Sequence, residues 1–385
     1  MLKLLYVGPN PSEWALGNRP GDLAAGKWSH GLLCGLSRCA DVHVLTHAHE
    51  RCWPKGDVFW RGFDSRLFPA DWPCSAVSFP AIYRVREWWL NRFYPLHAQR
   101  LMDSRRFDAV VTYNCIEPYQ VAIIEEAAKR GIPAFPIVLD GDDPRKDDWR
   151  YFIKATERAA GVAFLSYWAA MNFPSAKPRL HIDGGVDAWN GDDSLGIQRE
   201  GYSRFVHTGA LDKWRGLDFM REVIALLEKR SANVKIVLCG KMPDDIRNEL
   251  SVSSVAEWRG FVSDSELSVI SREADGFLNV REPSVGDNIL NFPSKVPVCL
   301  SWGKPIVSTW LDSFSPDYKD VMCFDFANTP KTFADLLCNV AGWDEEMRRK
   351  HYKTVKSWFM ERKLWHVQAR RLAEWIEAVI NGKSA

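Results

Sequence analysis

RFVHTGALDKWRG, residues 204–216, decides the fold together with the segments next to it in the chain: a helical run at 217–229 and the apolar stretch VKIVLCG at 234–240. EWRGFVSDSELSVISREADGFLNV (257–280) and NFPSKVPVCLSWGKPIVST (291–309) continue the pattern. Each short apolar run ends in glycine and hands over to a helical period. A strand that stops at glycine and starts a helix turns backbone N–H groups and the positive helix end outward, where they suit a phosphate. One such turn is ordinary in an α/β chain. Several in succession, closed by GKPIVST, predict a parallel sheet whose strand ends bind a phosphorylated ligand.

Working outward, the first half repeats the same alternation and predicts a second parallel sheet with crossover helices. Strands are expected at 2–7, 41–46 (DVHVLT), 107–113 (FDAVVTY), 132–140 (IPAFPIVLD) and 161–166 (GVAFLS). Helices are expected near 27–38, 119–130 and 149–159, and LHIDGGVD at 180–187 closes the unit. The polar stretch 188–203 reads as a linker. The tail is helical at 331–341, 345–359 and about 363–381.

A length of 385 residues favours two cores over one. A net charge of +1 gives no global field for nucleic acid. Nine scattered cysteines without a Cys-x-x-Cys pair fit a reducing, cytoplasmic compartment. MLKLLYVGPNP, broken at Gly8 and Pro9, is too short for a signal peptide, and no apolar run reaches membrane-spanning length. Dinucleotide and ATP readings lack their Gly-x-Gly-x-x-Gly or P-loop turns.

The order and spacing of 160–310 resemble the GT-B glycosyltransferases, in particular the retaining, nucleotide-sugar-dependent group that includes glycogen and lipopolysaccharide synthases. HIDGGVD (181–187), GALDKWRG (209–216), the 234–280 run and FPSKVPVCLSWGKPIVST (292–309) carry the resemblance. It implies two Rossmann-like domains facing across a cleft: an acceptor domain at 1–190, rejoined by the last helix at about 363–385, and a donor domain at 203–362. It further implies sugar transfer from a nucleotide-sugar to a saccharide or lipid-linked acceptor in bacterial envelope polysaccharide assembly, retaining and metal-independent, with no cofactor beyond the donor substrate.

The donor diphosphate would be met by Gly209, Lys213 and Arg215 in the first turn and by Gly240 after the second strand. Ser294 and Lys295, in residues that open a helix, would add amide, hydroxyl and ammonium donors. Stabilising the departing diphosphate is the main electrostatic task of such a transfer. Glu282 and Asn288, in REPSVGDN, are candidates for the donor sugar or ribose. Gly26, in GDLAAGKWSH, matches the family's phosphate-approach glycine in the first domain. Three departures stand out. Ala210 occupies the position of the family's arginine, Val298 that of its ribose-binding glutamate, and Leu290 that of the glutamate's partner.

Three other features leave alternatives open. IVLDGDDP (137–144) places Asp140, Asp142 and Asp143 after a strand, either as acceptor-facing catalytic carboxylates or as acids ahead of a helix N-terminus. It also has the Asp-x-Asp form of the metal-binding GT-A enzymes, a rival that predicts the nucleotide domain first. His47, His49 and Cys52 lack a fourth ligand for a metal. Residues 81–107 interleave arginine with aromatic rings, which suits either contact with an anionic membrane, at the inner face of the plasma membrane, or an aromatic core helix with a basic rim. A non-catalytic binding subunit and a sugar-nucleotide epimerase of the same architecture remain the functional alternatives.

Overall fold

The computed structural model describes residues 1–9, 23–48, 51–67, 72–141, 149–192, 201–281 and 286–383. The chain divides into two compact units, Met1–Asp187 with Trp365–Ala385, and Ala188–Leu364.

The strands of the first unit's main sheet are β1 (Leu2–Val7), β2 (Ala40–Thr46), β4 (Asp64–Leu67), β5 (Trp72–Ala76), β7 (Ala109–Tyr113), β8 (Ala134–Val138), β9 (Val162–Phe164) and β10 (Arg179–His181). They form eight strands in the order β10-β9-β8-β7-β1-β2-β5-β4. All neighbours run parallel except β4 against β5. LKLLYV of β1 is buried at every position but Lys3, the signature of a strand covered on both faces. A separate antiparallel pair, β3 (Phe59–Trp60) with β6 (Phe79–Pro80), lies among residues to which the sequence assigned no element.

Helices cover this sheet: α1 (Leu23–Leu36), α2 (Val85–Ser104), α3 (Pro118–Lys129), α4 (Arg150–Ala155) and α5 (Tyr167–Asn172). α3 begins with Pro118 behind a capping box, in which Glu117 and Gln120 satisfy amides at its first turn. The α4 segment, expected to run to residue 159, stops after six residues. Its start is held by Trp149, in a left-handed conformation and stacked on Trp168 at 5.5 Å between centroids.

The strands of the second unit are β11 (Ser203–Thr208), β12 (Val234–Cys239), β13 (Ala256–Gly260), β14 (Gly276–Asn279), β15 (Ile306–Thr309) and β16 (Cys323–Asp325). They form a fully parallel six-stranded sheet in the order β13-β12-β11-β14-β15-β16. Its helices are α6 (Leu217–Lys229), α7 (Asp244–Leu250), α8 (Asp264–Glu273), α9 (Val296–Leu300), α10 (Pro330–Ala341) and α11 (Glu345–Arg362). α6 shows why periodicity predicted it. Leu217, Met220, Val223, Ile224 and Leu227 are buried on one stripe, and they share a core with Phe333 and Leu337 of α10.

The chain then returns to the first unit as α12 (Trp365–Ile380), which lies against α1. The approach is close because α1 carries glycines where α12 crosses. A Cβ on Gly35 would come within 2.5 Å of the Trp365 carbonyl oxygen and 2.6 Å of the Ala369 methyl. Trp365 also donates its backbone N–H to Val186 O at 3.0 Å.

Candidate functional site

In the second sheet, β11 is flanked by β12 on one side and β14 on the other, so the order reverses there. Loops leaving the carboxyl ends of β11 and β14 diverge, and such a switch point is where open α/β sheets bind ligands. A cavity of ≈ 300 Å³ opens at this place. Its walls come from the end of β11 (Thr208, Gly209, Ala210), the end of β14 (Asn279, Arg281) and the residues before α9 (Ser294, Lys295), with Arg215 on the rim. A larger hollow of ≈ 1160 Å³ opens among residues that precede strands β11, β12, β14 and β15, at the amino end of the same sheet. Parallel sheets do not present their ligand-binding loops at that end.

Glycine geometry shapes the floor. Gly209 has φ 120° and Gly240 φ 145°, a region that side-chain-bearing residues rarely enter. A Cβ on Gly240 would lie 2.0 Å from the carbonyl oxygen of Gly209, so the two turns close on each other only as glycines. Gly209 N donates to Cys239 O at 2.8 Å and Gly240 N to Gly260 O at 2.7 Å, tying three consecutive strand ends together.

The cations differ in environment. Arg215 ends a single 3-10 turn (Lys213–Arg215) and pairs with Asp212, whose Oδ1 also accepts from the Arg215 backbone N–H at 3.0 Å. Arg281 is half-buried, and its side chain makes no hydrogen bond or ion pair among the described residues. Burial first, and the charge of Arg215 second, lower its proton affinity, while Asp212 acts the other way. Its backbone is fixed by Thr309, whose Oγ1 accepts from Arg281 N at 3.1 Å and donates to Arg281 O at 3.0 Å. Leaving a guanidinium partly desolvated and unpaired is costly, and an anion in the cavity would remove that cost.

Beneath the cations lies His207, buried, with Nδ1 lacking a partner. Burial and the neighbouring Arg281 push its pKa down to about 4, so it stays neutral and adds no further positive charge at neutral pH. The Cys299 thiol, buried and bonded to Thr208, is pushed up to about 12. It is an unreactive wall, and the first of its causes is desolvation.

Gly209, Arg215, Ser294 and Lys295 therefore meet at one cavity, as do two positions of interest, Ala210 and the unforeseen Arg281. Ser294 and Lys295 are exposed, and the helix they precede has only five residues. Gly240 shapes the turn without lining the cavity. Lys213 is exposed on the 3-10 turn and lies off the cavity wall. Asn288 is buried in the short turn Gly286–Ile289. Val298, expected to replace a ribose ligand, is 40% exposed and offers no polar atom. Glu282 lies outside the described residues, as do Asp142 and Asp143. Arg281 was legible in principle: it follows the apolar strand GFLNV at its carboxyl end, the same position rule that singles out Glu282.

In the first unit, Gly26 is buried inside α1 and not in a loop before it. Ala24 and Ala25, strong helix formers, carry the helix back past the expected start at 27. Asp140 is exposed just beyond β8. Its backbone is positioned by Asn114, whose Oδ1 accepts from Leu139 N at 2.7 Å and Asp140 N at 3.4 Å. Asn114 itself has φ 65° at the end of β7, a conformation asparagine tolerates better than most residues. His47 is held by Ala48 O at 3.2 Å and the Tyr119 hydroxyl at 3.4 Å, among aromatic rings.

No family model and no curated protein matches the sequence. Solved structures do match over nearly the whole chain. HepE of Anabaena, in complex with UDP, is 13% identical with a TM-score of 0.69, covering 98% of this chain and 100% of that one. The lipopolysaccharide outer core galactosyltransferase WaaB gives 13% and 0.67 over 98% and 99%. The trehalose 6-phosphate synthase of Burkholderia multivorans gives 10% and 0.65 over 99% and 100%. The chain has the GT-B fold these structures share.

Proposed function

We propose that the protein is a glycosyltransferase that takes a sugar from a nucleotide-sugar and passes it to a saccharide or lipid-linked acceptor in envelope polysaccharide assembly. The observation that carries this reading is Arg281: a half-buried guanidinium without an ion-pair partner among the described residues, beside a second arginine, at the switch point of a parallel sheet. A diphosphate is the ligand class that answers two converging guanidiniums and a nearby lysine. UDP and UDP-glucose, with which HepE of similar fold forms complexes, agree with it.

In this reading the second unit holds the donor and the first the acceptor. Arg281, Arg215, Lys295 and the Ser294 hydroxyl take up charge as the diphosphate departs, which lowers the barrier in proportion to how much of that charge is absent in the ground state. Arg281 supplies from β14 the guanidinium that Ala210 does not. Asp140, on a loop braced by Asn114, would orient the acceptor hydroxyl, and Gly26 would mark a close backbone approach. Glu282 and Asn288 would serve the sugar or ribose. Retention of configuration, independence from metal and a cytoplasmic site at the inner membrane face complete the proposal, with residues 81–107 meeting anionic lipid.

Calorimetric titration with nucleoside diphosphates, UDP first, tests it, followed by donor consumption with and without a saccharide acceptor and with EDTA. Absence of binding by every diphosphate overturns the donor site. Binding without transfer to any acceptor would favour the non-catalytic reading, which Ala210 and Val298 motivate.

A further inference from the structure

Helix α2 buries Leu90, Tyr94, Ala98 and Met102 against the first unit, and Tyr94 donates its hydroxyl to Leu45 O at 2.9 Å. Part of its aromatic content is therefore core. The rest is not: Tyr83, just ahead of the helix, is 69% and Trp88 62% exposed. A second segment, 53–63, extends this surface. Trp53 N donates to Ala81 O at 2.7 Å, Ala81 N donates to Val58 O at 2.8 Å, and β3 pairs with β6 immediately before α2. Trp53, Val58 and Phe59 are 58%, 52% and 47% exposed. Beneath them Trp60 stacks on Phe79 at 5.6 Å within a buried cluster that includes Leu90.

The exposed rings thus rest on a packed base and are not the fringe of a loosely folded loop. Lys55, Arg61, Arg84, Arg92 and Arg100 are exposed in the same two segments, against Asp57, Glu87 and Asp103. The chain as a whole carries only +1, so this excess is local. Rings of Trp and Tyr prefer the headgroup level, with an apolar body and a polar edge, and nearby cations gain from anionic lipid. A protein-binding core would be depleted of charge where this face is studded with it.

We infer that segment 53–63 and α2 together form one docking face for an anionic lipid bilayer. The inference rests on the lipid contact proposed for residues 81–107 and extends it to a second segment; the face belongs to the first unit and the donor cavity to the second, so its test does not depend on nucleotide binding. Flotation of the full chain with phosphatidylcholine vesicles, with and without phosphatidylglycerol, at low and high salt, provides it. Binding is expected only with phosphatidylglycerol and is expected to weaken with salt. Arg84→Gln with Arg92→Gln should lower partitioning roughly tenfold or more, and Trp53→Ser with Trp88→Ser should abolish it. Calorimetry with UDP and circular dichroism on the same variants report whether they remain folded. Failure to float with anionic vesicles, equal flotation with phosphatidylcholine alone, or sedimentation showing that the tryptophan pair instead holds two copies together would each overturn the inference.

Discussion

Arg281 at the end of β14 lies in the electrostatic field of Arg215, and the two guanidiniums disfavour one another at the mouth of a single cavity. Asp212 is the only one of these three groups with an opposing charge, and it is paired with Arg215. A folded protein that keeps two cations converging in this way spends stability on an anion site.

Arg281→Ala should therefore separate binding from stability. Loss of one charge-assisted contact weakens a nucleoside diphosphate on the order of tenfold to a hundredfold. The unliganded variant should melt no lower than the parent, because it no longer desolvates a guanidinium that has no ion-pair partner among the described residues. Calorimetry with UDP and thermal melts of the apo protein measure the two effects. A variant that binds normally removes Arg281 from the donor site.

Arg215→Ala should weaken the same ligand less, because this side chain is half exposed and already shared with Asp212. Asp212→Asn should act in the opposite direction and tighten diphosphate binding by roughly threefold, since Arg215 is then released to the ligand. The expected order of affinity is Asp212→Asn, parent, Arg215→Ala, Arg281→Ala.

Gly240→Ala should destabilise the second unit by at least about 2 kcal/mol, combining the strain of a positive φ with a steric collision at Gly209 O. Gly131→Ala is the control. Its φ is 67°, but a Cβ there meets nothing within 4 Å, so only about 1 kcal/mol of conformational cost applies. Urea unfolding of both variants, read at the midpoint, distinguishes collision from conformation.

His43 gives a pH dependence with a fixed sign. Arg105 donates to its Nδ1 at 3.1 Å, which places the ring proton on Nε2, facing Ser75 Oγ at 3.0 Å. Burial first and Arg105 second lower its pKa from 6.5 to about 4. Unfolding thus takes up a proton in that window, so stability is complete above about pH 6.5 and declines as pH falls towards 4. His43→Asn should lose about 2 kcal/mol less than the parent between about pH 7 and about pH 5, by urea melts at each pH.

Gly35→Ala probes the return of the chain. The added methyl would press on Trp365 O and Ala369 of α12, and overpacking of this kind costs on the order of 1–3 kcal/mol. Near-UV circular dichroism and urea melts should report a weakened first unit. Unchanged stability would mean that α1 and α12 separate freely.

The strands and helices of the second unit could be read from the chain because their signals are local. Glycine closes β11, β12 and β13 where positive φ is required, and the apolar stripe of α6 needs no partner to be recognised. By contrast, the short pair β3 with β6 joins residues about twenty apart through two-residue strands, too brief for any alternation to show. The early start of α1 was hidden because a glycine at 26 suggested a loop, whereas the alanines before it favour helix.

Of the site, the sequence alone determined the kind of surface: glycine-ended parallel strands with Arg215 and Lys295 close to their ends. It could not determine which charges are shared and which stand alone. That depends on three-dimensional neighbours: Arg215 next to Asp212, Arg281 brought beside it by the pairing of β14 with β11, and Gly240 closed onto Gly209. Residue type and spacing fix backbone preference, because that is decided within a few bonds. The energy of a charge depends on burial and on every other charge near it, and only the folded chain sets those distances.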